Sequence, residues 1–372
     1  MESQKFKQNK LLSQIQYWKK PPKPTNHNEL TKQGITLAVN EISNHKQYGV
    51  IGGHLTYLAI KNPQNFMIGT HTRGLKVIKN NLEIYSKKFS EGESDLLDMI
   101  YVDHLDSYLI YLNQRLYIKE INAKPAFVIL DIGLSSKLGA FLRYSKINRR
   151  VVAFNQRENL SVINLERKQV EIEARIRRER QSKKLDFRIT GRKEEAVVSI
   201  AHDGSIELYT LNYDLRKVCT AHRQQIELIR ERREQGVSIA VSDRGELVLA
   251  RVGSDTYTSS RSILFEVKGN FLVKKAVIDE FYENSCQKWA LEFCGLVGRF
   301  TLWAGLSLDN GHTGVIHIYC WDREKQELRE LKQSRVNSKD SRSLRLTRLG
   351  NRLYFTGWYG SVQEMCLHNN NS

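Results

Sequence analysis

Arginine and lysine side chains occur in clusters along this sequence, and their chemistry suits the binding of phosphate or carboxylate groups. The densest cluster has only Glu179 as an opposing charge and consists of Arg175, Arg177, Arg178, Arg180, Lys183 and Lys184. A second consists of Arg230, Arg232 and Arg233, and a looser third of Lys339, Arg342, Arg345, Arg348 and Arg352. Together with a net charge of +17, these clusters predict attraction to RNA or to an acidic protein surface.

Acidic residues near the same clusters support a second interpretation. They are Glu171, Glu173, Glu227, Glu231 and Glu234. Interspersed charges of both signs are typical of an ordinary solvated surface. The sequence contains neither a recognisable RNA-binding motif nor a stripe of aromatic residues between basic ones. Both interpretations of the basic clusters therefore remain open.

A loose set of histidine and cysteine residues has spacing that resembles a metal site. It comprises Cys294, His312, His317 and Cys320. However, His317 and Cys320 are three residues apart in an expected strand, so their side chains should point to opposite faces. We therefore predict no bound metal at this place.

Motifs for catalysis are absent from the sequence. It has no GxGxxG, P-loop, GxSxG or HExxH pattern. His202 and His222 are interpreted as residues that form hydrogen bonds between strands, and His202-Asp203 as turn chemistry. We predict no catalytic residue and no cofactor, and no small-molecule substrate is evident.

Cysteine usage and hydropathy bear on the location of the protein. The five cysteines form no CxxC pair and their number is odd, which favours reduced thiols. The N-terminus lacks the apolar stretch of a secretory signal, and no apolar run approaches the ~18 residues of a membrane span. We expect an intracellular protein, cytoplasmic with the nucleus as the alternative, that is not secreted and does not span a membrane.

Residues 1–33 have the composition of a basic tail. They hold seven lysines against two glutamates, and they include Pro21, Pro22 and Pro24. Within this segment Leu11, Leu12, Ile15 and Trp18 would share one face of a short amphipathic helix. One interpretation is a docking helix for a partner. The others are a solvated tail or a helix that packs on its own domain.

A hairpin repeat organises the rest of the chain. The clearest copy joins the apolar residues 197–201 to the alternating residues 205–211 through Asp203-Gly204. Asp-Gly between two such runs is the strongest short-range hairpin signal. A second copy surrounds Asp243-Arg244-Gly245, and five more are less regular.

The seven turns are centred on Arg73, Asn113, Arg157, Asp203, Asp243, Gly311 and Tyr359. Successive centres lie 40 to 48 residues apart, except for a gap of 68 residues before Gly311. Blades of WD type repeat at about 40–45 residues. We interpret the long gap as loop insertions at residues 253–261 and 279–287.

Residues 197–222 resemble a WD repeat. They contain strand, Asp-Gly turn, strand, the loop at Asn212, and a further strand with Ala221-His222 where the family has Gly-His. Tyr209 replaces the family's Trp, and Trp321-Asp322 is out of register, so the chain resembles a divergent member. The resemblance implies an all-β fold, a seven-bladed β-propeller of four-stranded antiparallel blades.

The two ends of the repeat array predict how the ring is completed. The last hairpin has no outer strand after it, and residues 35–39 can supply that strand. Residues 54–60 can begin the first blade. A ring closed by an N-terminal strand removes its sheet edges. We assign residues 34–368 to the propeller; the alternative is an all-β sandwich with an added helical piece.

Short segments are also similar to a WD-repeat family that hydrolyses the methyl ester of diphthine. They are residues 68–71, 96–99, 289–293 and 356–359. The family's Gly-Gly-Val-Trp segment is missing, so no catalytic residue is transferred.

The function expected from the first resemblance is a non-catalytic scaffold that binds other proteins within a multi-subunit assembly. The alternative is a propeller associated with RNA or ribonucleoprotein through its basic loops. A diphthine methyl ester hydrolase-like enzyme is the less favoured alternative.

Overall fold

The computed structural model describes residues 35–43, 56–70, 74–88, 96–112, 115–121, 128–129, 141–154, 159–175, 184–190, 196–201, 203–228, 234–254, 259–281, 287–308, 314–335, 346–350, 352–356 and 362–369. In these ranges the regular elements are β-strands and one short 3-10 helix at Asp103–Leu105. The strands form seven four-stranded antiparallel sheets, which we call blades.

The first four blades use consecutive strands of the chain. Blade 1 contains β2 (Thr56–Asn62), β3 (Asn65–Thr70), β4 (Gly74–Lys79) and β5 (Leu82–Lys88). Blade 2 contains β6 (Leu96–Val102), β7 (Ser107–Leu112), β8 (Arg115–Glu120) and β9 (Val128–Ile129). Blade 3 contains β10 (Phe141–Ser145), β11 (Arg150–Phe154), β12 (Asn159–Asn164) and β13 (Gln169–Arg175). Blade 4 contains β14 (Lys184–Ile189), β15 (Ala196–Ala201), β16 (Ser205–Asn212) and β17 (Lys217–Gln225).

Blades 5 and 6 also use consecutive strands, whereas blade 7 takes its fourth strand from the first described strand of the chain. Blade 5 contains β18 (Glu234–Val241), β19 (Leu247–Ser254), β20 (Ser259–Lys268) and β21 (Phe271–Phe281). Blade 6 contains β22 (Gln287–Val297), β23 (Phe300–Leu308), β24 (Gly314–Asp322) and β25 (Glu327–Arg335). Blade 7 contains β26 (Leu346–Leu349), β27 (Arg352–Thr356), β28 (Val362–Asn369) and β1 (Ile35–Ser43).

The first strand of each blade contacts the first strands of both neighbouring blades, so the seven inner strands form a ring. Blade 1 contacts blade 7 in the same way, through β2 and β26. The predicted seven-bladed β-propeller of four-stranded antiparallel blades is confirmed. The outer position of blade 7 is taken by β1, which pairs antiparallel with β28 over Ile35 to Ser43.

Apolar side chains fill seven clusters, one between each pair of neighbouring blades. Successive residues of a strand point to opposite sheet faces, so one strand serves two clusters. In β2, Ala59 packs towards blade 2 whereas Leu58 and Ile60 pack towards blade 7. This explains strands such as β15, in which all six residues are buried and five of them are apolar.

The Asp203-Gly204 turn joins the second and third strands of blade 4, as the hairpin signal predicted. The Asp203 carboxylate accepts hydrogen bonds from the backbone N–H of Ser205 at 2.9 Å and from its hydroxyl at 2.7 Å. Gly204 has φ +77°, in the left-handed region that a residue with Cβ rarely adopts.

The Asp243 turn has a different position in its blade from the one that the repeat spacing suggested. It joins β18 to β19, the first and second strands of blade 5, whereas the other six hairpins join second and third strands. This shift in strand position explains the long interval before Gly311. Residues 253–261 include the end of β19 and the start of β20, and residues 279–287 the end of β21 and the start of β22.

Candidate functional site

Charged side chains form a continuous network along the inner strands of the ring. Its members are Asp98 of β6, Arg143 of β10, Asp186 and Arg188 of β14, and Glu292 of β22. Arg143 Nη1 lies 3.5 Å from Asp98 Oδ2, and its Nη2 lies 3.0 Å from Asp186 Oδ1. Arg188 Nη1 lies 2.8 Å from Asp186 Oδ1, and its Nη2 lies 3.5 Å from Glu292 Oε2. The network therefore links blades 2, 3, 4 and 6.

The two aspartates of this network have equivalent bonding. Each accepts a hydrogen bond from the backbone N–H of the next residue, at 2.9 Å for Asp98 and 2.8 Å for Asp186. Each accepts another from the inner strand of the next blade, from Leu142 at 2.8 Å and from Ile239 at 3.3 Å. Asp186 also accepts from the Ser238 hydroxyl at 3.1 Å, which brings blade 5 into the network.

Electrostatics keep the central guanidinium charged. Burial alone would lower the pKa of Arg188, but the carboxylates of Asp186, Glu292 and Asp98 raise it above its ordinary value. Arg188 Nη2 also donates to the Leu291 carbonyl oxygen at 3.0 Å. Because these carboxylates are engaged by guanidinium and amide donors, the network is suited to holding neighbouring blades together.

The sequence interpretation missed this network, although a signal for it is present. The three acidic members stand between a leucine and a large apolar residue, in Leu97-Asp98-Met99, Leu185-Asp186-Phe187 and Leu291-Glu292-Phe293. Two of these triplets fall in residues 96–99 and 289–293, the segments that suggested the enzyme alternative. In this chain their acidic residues contribute to the contacts between blades.

A cleft of about 250 Å³ opens among three turns of blades 3 and 4. Its lining residues are Asn148, Arg150, Arg167, Gln169, Glu171, Tyr213 and Arg216. The turns join β10 to β11, β12 to β13 and β16 to β17. In an antiparallel blade, the turn from the first to the second strand and the turn from the third to the fourth lie at the same edge. The three turns therefore share one face of the ring, which we call the cleft face.

The charges that line the cleft are not balanced. The Arg150 Nε group donates to the Glu171 carboxylate, which also accepts from Asn164 Nδ2 at 2.8 Å. Burial would raise the pKa of Glu171, but these hydrogen bonds lower it below its ordinary value. Among the residues that the structure describes, Arg167 and Arg216 form no salt bridge, so the cleft has an excess of positive charge.

The partly buried histidine His104, in the turn between β6 and β7, lies on the cleft face. Its Nδ1 atom is 2.7 Å from the Tyr144 hydroxyl, which donates to Asp103 Oδ1 at 2.7 Å. Its Nε2 atom is 3.8 Å from Glu166 Oε1. Burial lowers the pKa of this histidine, His104, with Arg149 acting in the same direction against the carboxylates of Glu166 and Asp103.

The lowered pKa of His104 predicts that the protein loses stability in acid. Its folded-state pKa lies below the ordinary value of about 6.5, so the unfolded chain binds the proton more readily. We expect the free energy of unfolding to fall as the pH drops through ~6.5, and to fall less in His104→Gln. Denaturant titrations of both proteins across this pH range would measure the difference. An equal slope in the two proteins would show that His104 does not contribute.

The predicted basic and docking residues lie outside the part of the chain whose side chains the structure describes. They are Arg175, Arg177, Arg178, Arg180, Lys183, Lys184, Arg230, Arg232, Arg233, Leu11, Leu12, Ile15 and Trp18. Two members of the looser third cluster are described, and both form ion pairs. Arg348 Nη2 donates to Asp243 Oδ2 at 2.9 Å, and Arg352 Nη1 to Glu364 Oε1 at 2.7 Å.

Of the four residues with metal-like spacing, His317 lies apart from Cys294 and Cys320, and His312 lies outside the described residues. His317 is fully buried in β24, stacks on Tyr319 and lies 2.6 Å from Glu330 Oε1. Cys320 and Cys294 belong to the apolar cluster between blades 6 and 7, where burial raises the pKa of the Cys294 thiol. Across the described ranges, no group of three or more His, Cys, Asp or Glu side chains could hold a metal ion.

His222 has the stitching role that the sequence suggested. Its Nδ1 accepts a hydrogen bond from the Leu272 backbone N–H at 3.2 Å, which joins the outer strands of blades 4 and 5.

Within the described ranges, we find no helix with the length and hydropathy that a membrane span requires.

Comparison with known proteins supports the architecture. No protein-family model and no curated protein sequence matches the chain. BBS1N, solved in complex with ARL6DN, superposes with a TM-score of 0.58 at 10% identity, over 90% of this chain and 97% of that chain. The β-propeller domain of Cps50 (Swd1) from Myceliophteria thermophila gives 0.51 at 12% identity, over 70% and 81%. The chain has a β-propeller fold.

Proposed function

We propose that this propeller is a non-catalytic scaffold that binds other proteins within a multi-subunit assembly. One observation carries the proposal: the cleft face combines unbalanced positive charge with exposed apolar side chains. Ile147 and Leu215, in two of the three turns of the cleft, are 57% and 63% exposed. Apolar side chains beside charged groups are typical of surfaces that bind other proteins.

A structural neighbour supports the same proposal. BBS1N was solved with ARL6DN, so one propeller of similar fold is known in complex with another protein. The charged network fits this role because it links the inner strands of blades 2 to 6, which favours a rigid platform.

The basic clusters are proposed as a second binding surface for acidic partners. Residues 176–183 connect β13 to β14, and residues 229–233 fall between β17 and β18. The segment with Leu11, Leu12, Ile15 and Trp18 is proposed as a further docking element.

Affinity purification of the tagged full-length chain, with and without ribonuclease, tests the scaffold proposal. We expect the same proteins to be recovered under both conditions, as judged by mass spectrometry. Loss of every recovered protein after ribonuclease would support the ribonucleoprotein alternative instead. Hydrolysis of a methyl ester by the purified, folded chain would contradict the non-catalytic part of the proposal.

Charge reversal tests the role of the first basic cluster. We expect Arg177→Glu with Arg178→Glu to weaken binding of the recovered partners about tenfold, since each exposed ion pair contributes up to about 1 kcal/mol and reversal adds repulsion. Lys87→Glu with Lys88→Glu is the matched control, because it makes the same charge change at the end of the outer strand of blade 1. Equal weakening by both pairs would mean that only net charge matters.

A further inference from the structure

We infer that the cleft between the turns of blades 3 and 4 binds an acidic peptide segment of a partner protein, through a carboxylate side chain and its apolar neighbours. The inference rests on the proposed protein-binding function and assigns it a site and a ligand chemistry. The ligand is an Asp- or Glu-bearing peptide, because what the cleft lacks is negative charge and hydrogen-bond acceptors.

The lining of the cleft presents donors whose acceptors are missing. Glu171 accepts hydrogen bonds from Arg150 and Asn164, and the charge of Arg167 also acts on it, but neither Arg167 nor Arg216 has a carboxylate within ion-pair distance among the described residues. The Nδ2 group of Asn148 is buried and donates no hydrogen bond within the same described ranges. A carboxylate can accept from guanidinium and amide donors together, and such charge-assisted hydrogen bonds are the stronger ones.

Backbone conformation identifies the lining position at which a glycine substitution is most informative. Three basic residues at these turns have positive φ: Arg149 at +52°, Lys168 at +51° and Arg216 at +49°. Glycine adopts this region without the steric cost that a Cβ imposes, so stability alone favours glycine there. Asp106 and Gln326, in turns of blades 2 and 6, have the same conformation at +45° and +51°, so it is a general feature of turns on the cleft face.

The side chains beside the cleft favour a peptide over RNA. Ile147 and Leu215 directly precede the lining residues Asn148 and Arg216, and both are exposed aliphatic residues. Tyr213, the aromatic residue of the lining, packs against the apolar cluster between blades 3 and 4. Single-stranded RNA is bound mainly by stacking on exposed aromatic rings, whereas aliphatic side chains pack against apolar side chains of a peptide.

Arg216→Gly is the informative variant, because it removes the charge and relieves the positive φ at once. We expect it to fold with an unchanged or higher Tm. Combined with Arg167→Ala, it should weaken binding of a fluorescent peptide of alternating Glu and Leu about tenfold, as measured by anisotropy with the full-length chain. Gln326→Gly is the matched control, since Gln326 has φ +51° at the corresponding turn of blade 6, and it should bind as wild type does.

Three results would overturn the inference. The first is equal binding by the double variant and the control. The second is full competition by poly(U) RNA at the same charge concentration, which would indicate a general polyanion site. The third is equal binding of a peptide alternating Glu and Ser, which would remove the role of the apolar neighbours.

Affinity purification separates the cleft inference from the scaffold proposal. A double variant that keeps all partners contradicts the cleft inference alone, whereas a wild-type protein that recovers no partner contradicts the scaffold proposal.

Discussion

Replacing Asp186 with asparagine is expected to lower the free energy of unfolding by about 3–5 kcal/mol, the usual effect of breaking a buried ion pair from one side. Asp186 is mostly buried and holds Arg143 and Arg188 at 3.0 and 2.8 Å. The neutral amide would leave both guanidinium groups with less compensating charge in a site that water reaches poorly. Denaturant titration followed by circular dichroism would measure the loss.

A matched control for this prediction is Asp279→Asn. Asp279 also pairs with an arginine, Arg261, at 2.7 Å, but its side chain is 52% exposed. Exposed pairs contribute at most about 1 kcal/mol, so this variant should unfold close to wild type. A loss at Asp186 no larger than the loss at Asp279 would refute a stabilising role for the network. Should Asp186→Asn fail to fold, Asp98→Asn tests the end of the network, where a smaller loss is expected.

The second large effect is expected from Phe66→Ala, which should destabilise the protein by about 3–5 kcal/mol. Phe66 is 1% exposed and packs in the cluster between blades 1 and 7, with Tyr354 and Val362. Truncation removes apolar contacts and leaves a cavity between blades 1 and 7, beside Val362 of β28.

Phe265→Ala is the matched variant for this junction. Phe265 is also 1% exposed and lies in the cluster between blades 4 and 5. Its truncation should cost a similar amount of stability. Only Phe66→Ala, however, should accelerate amide hydrogen exchange in β1 and β28, because their pairing joins blade 7 to the N-terminal part of the chain. The same exchange pattern in both variants would contradict this difference.

Local turn chemistry explains why the fold could be predicted. The Asp203 carboxylate binds Ser205 within the same turn, so the hairpin is specified by adjacent residues. Turn chemistry does not reveal which two strands of a blade it joins. The Asp243 hairpin has a similar tight turn, closed by a 2.7 Å hydrogen bond from the Gly245 N–H to the Ser242 carbonyl oxygen. Its position in blade 5 becomes clear only once β20 and β21 are placed.

The proposed binding cleft was harder to predict because its residues come from separate parts of the chain. The cleft needs Asn148, Arg167 and Arg216, which belong to three separate turns. Sequence clustering favoured residues 175–184, where six basic residues fall within ten positions, and this stays a prediction. The charged network was missed for the same reason, because Asp98 meets Arg143 only when neighbouring blades pack side by side. A search for Leu-acid-apolar triplets finds its three acidic members, but it also returns Glu83 and Asp131, so the pattern alone does not define the network.

The pairing of β1 with β28 has a consequence for synthesis in the cell. Residue 43 leaves the ribosome about 320 residues before residue 362, its partner in the sheet. At roughly 5–20 residues per second, this is a wait on the order of half a minute. During that time β1 is an unpaired strand that a neighbouring nascent chain could capture. Blade 7 is therefore the last part of the molecule that can acquire its native partner, and slowing translation before β28 should increase misassembly rather than reduce it.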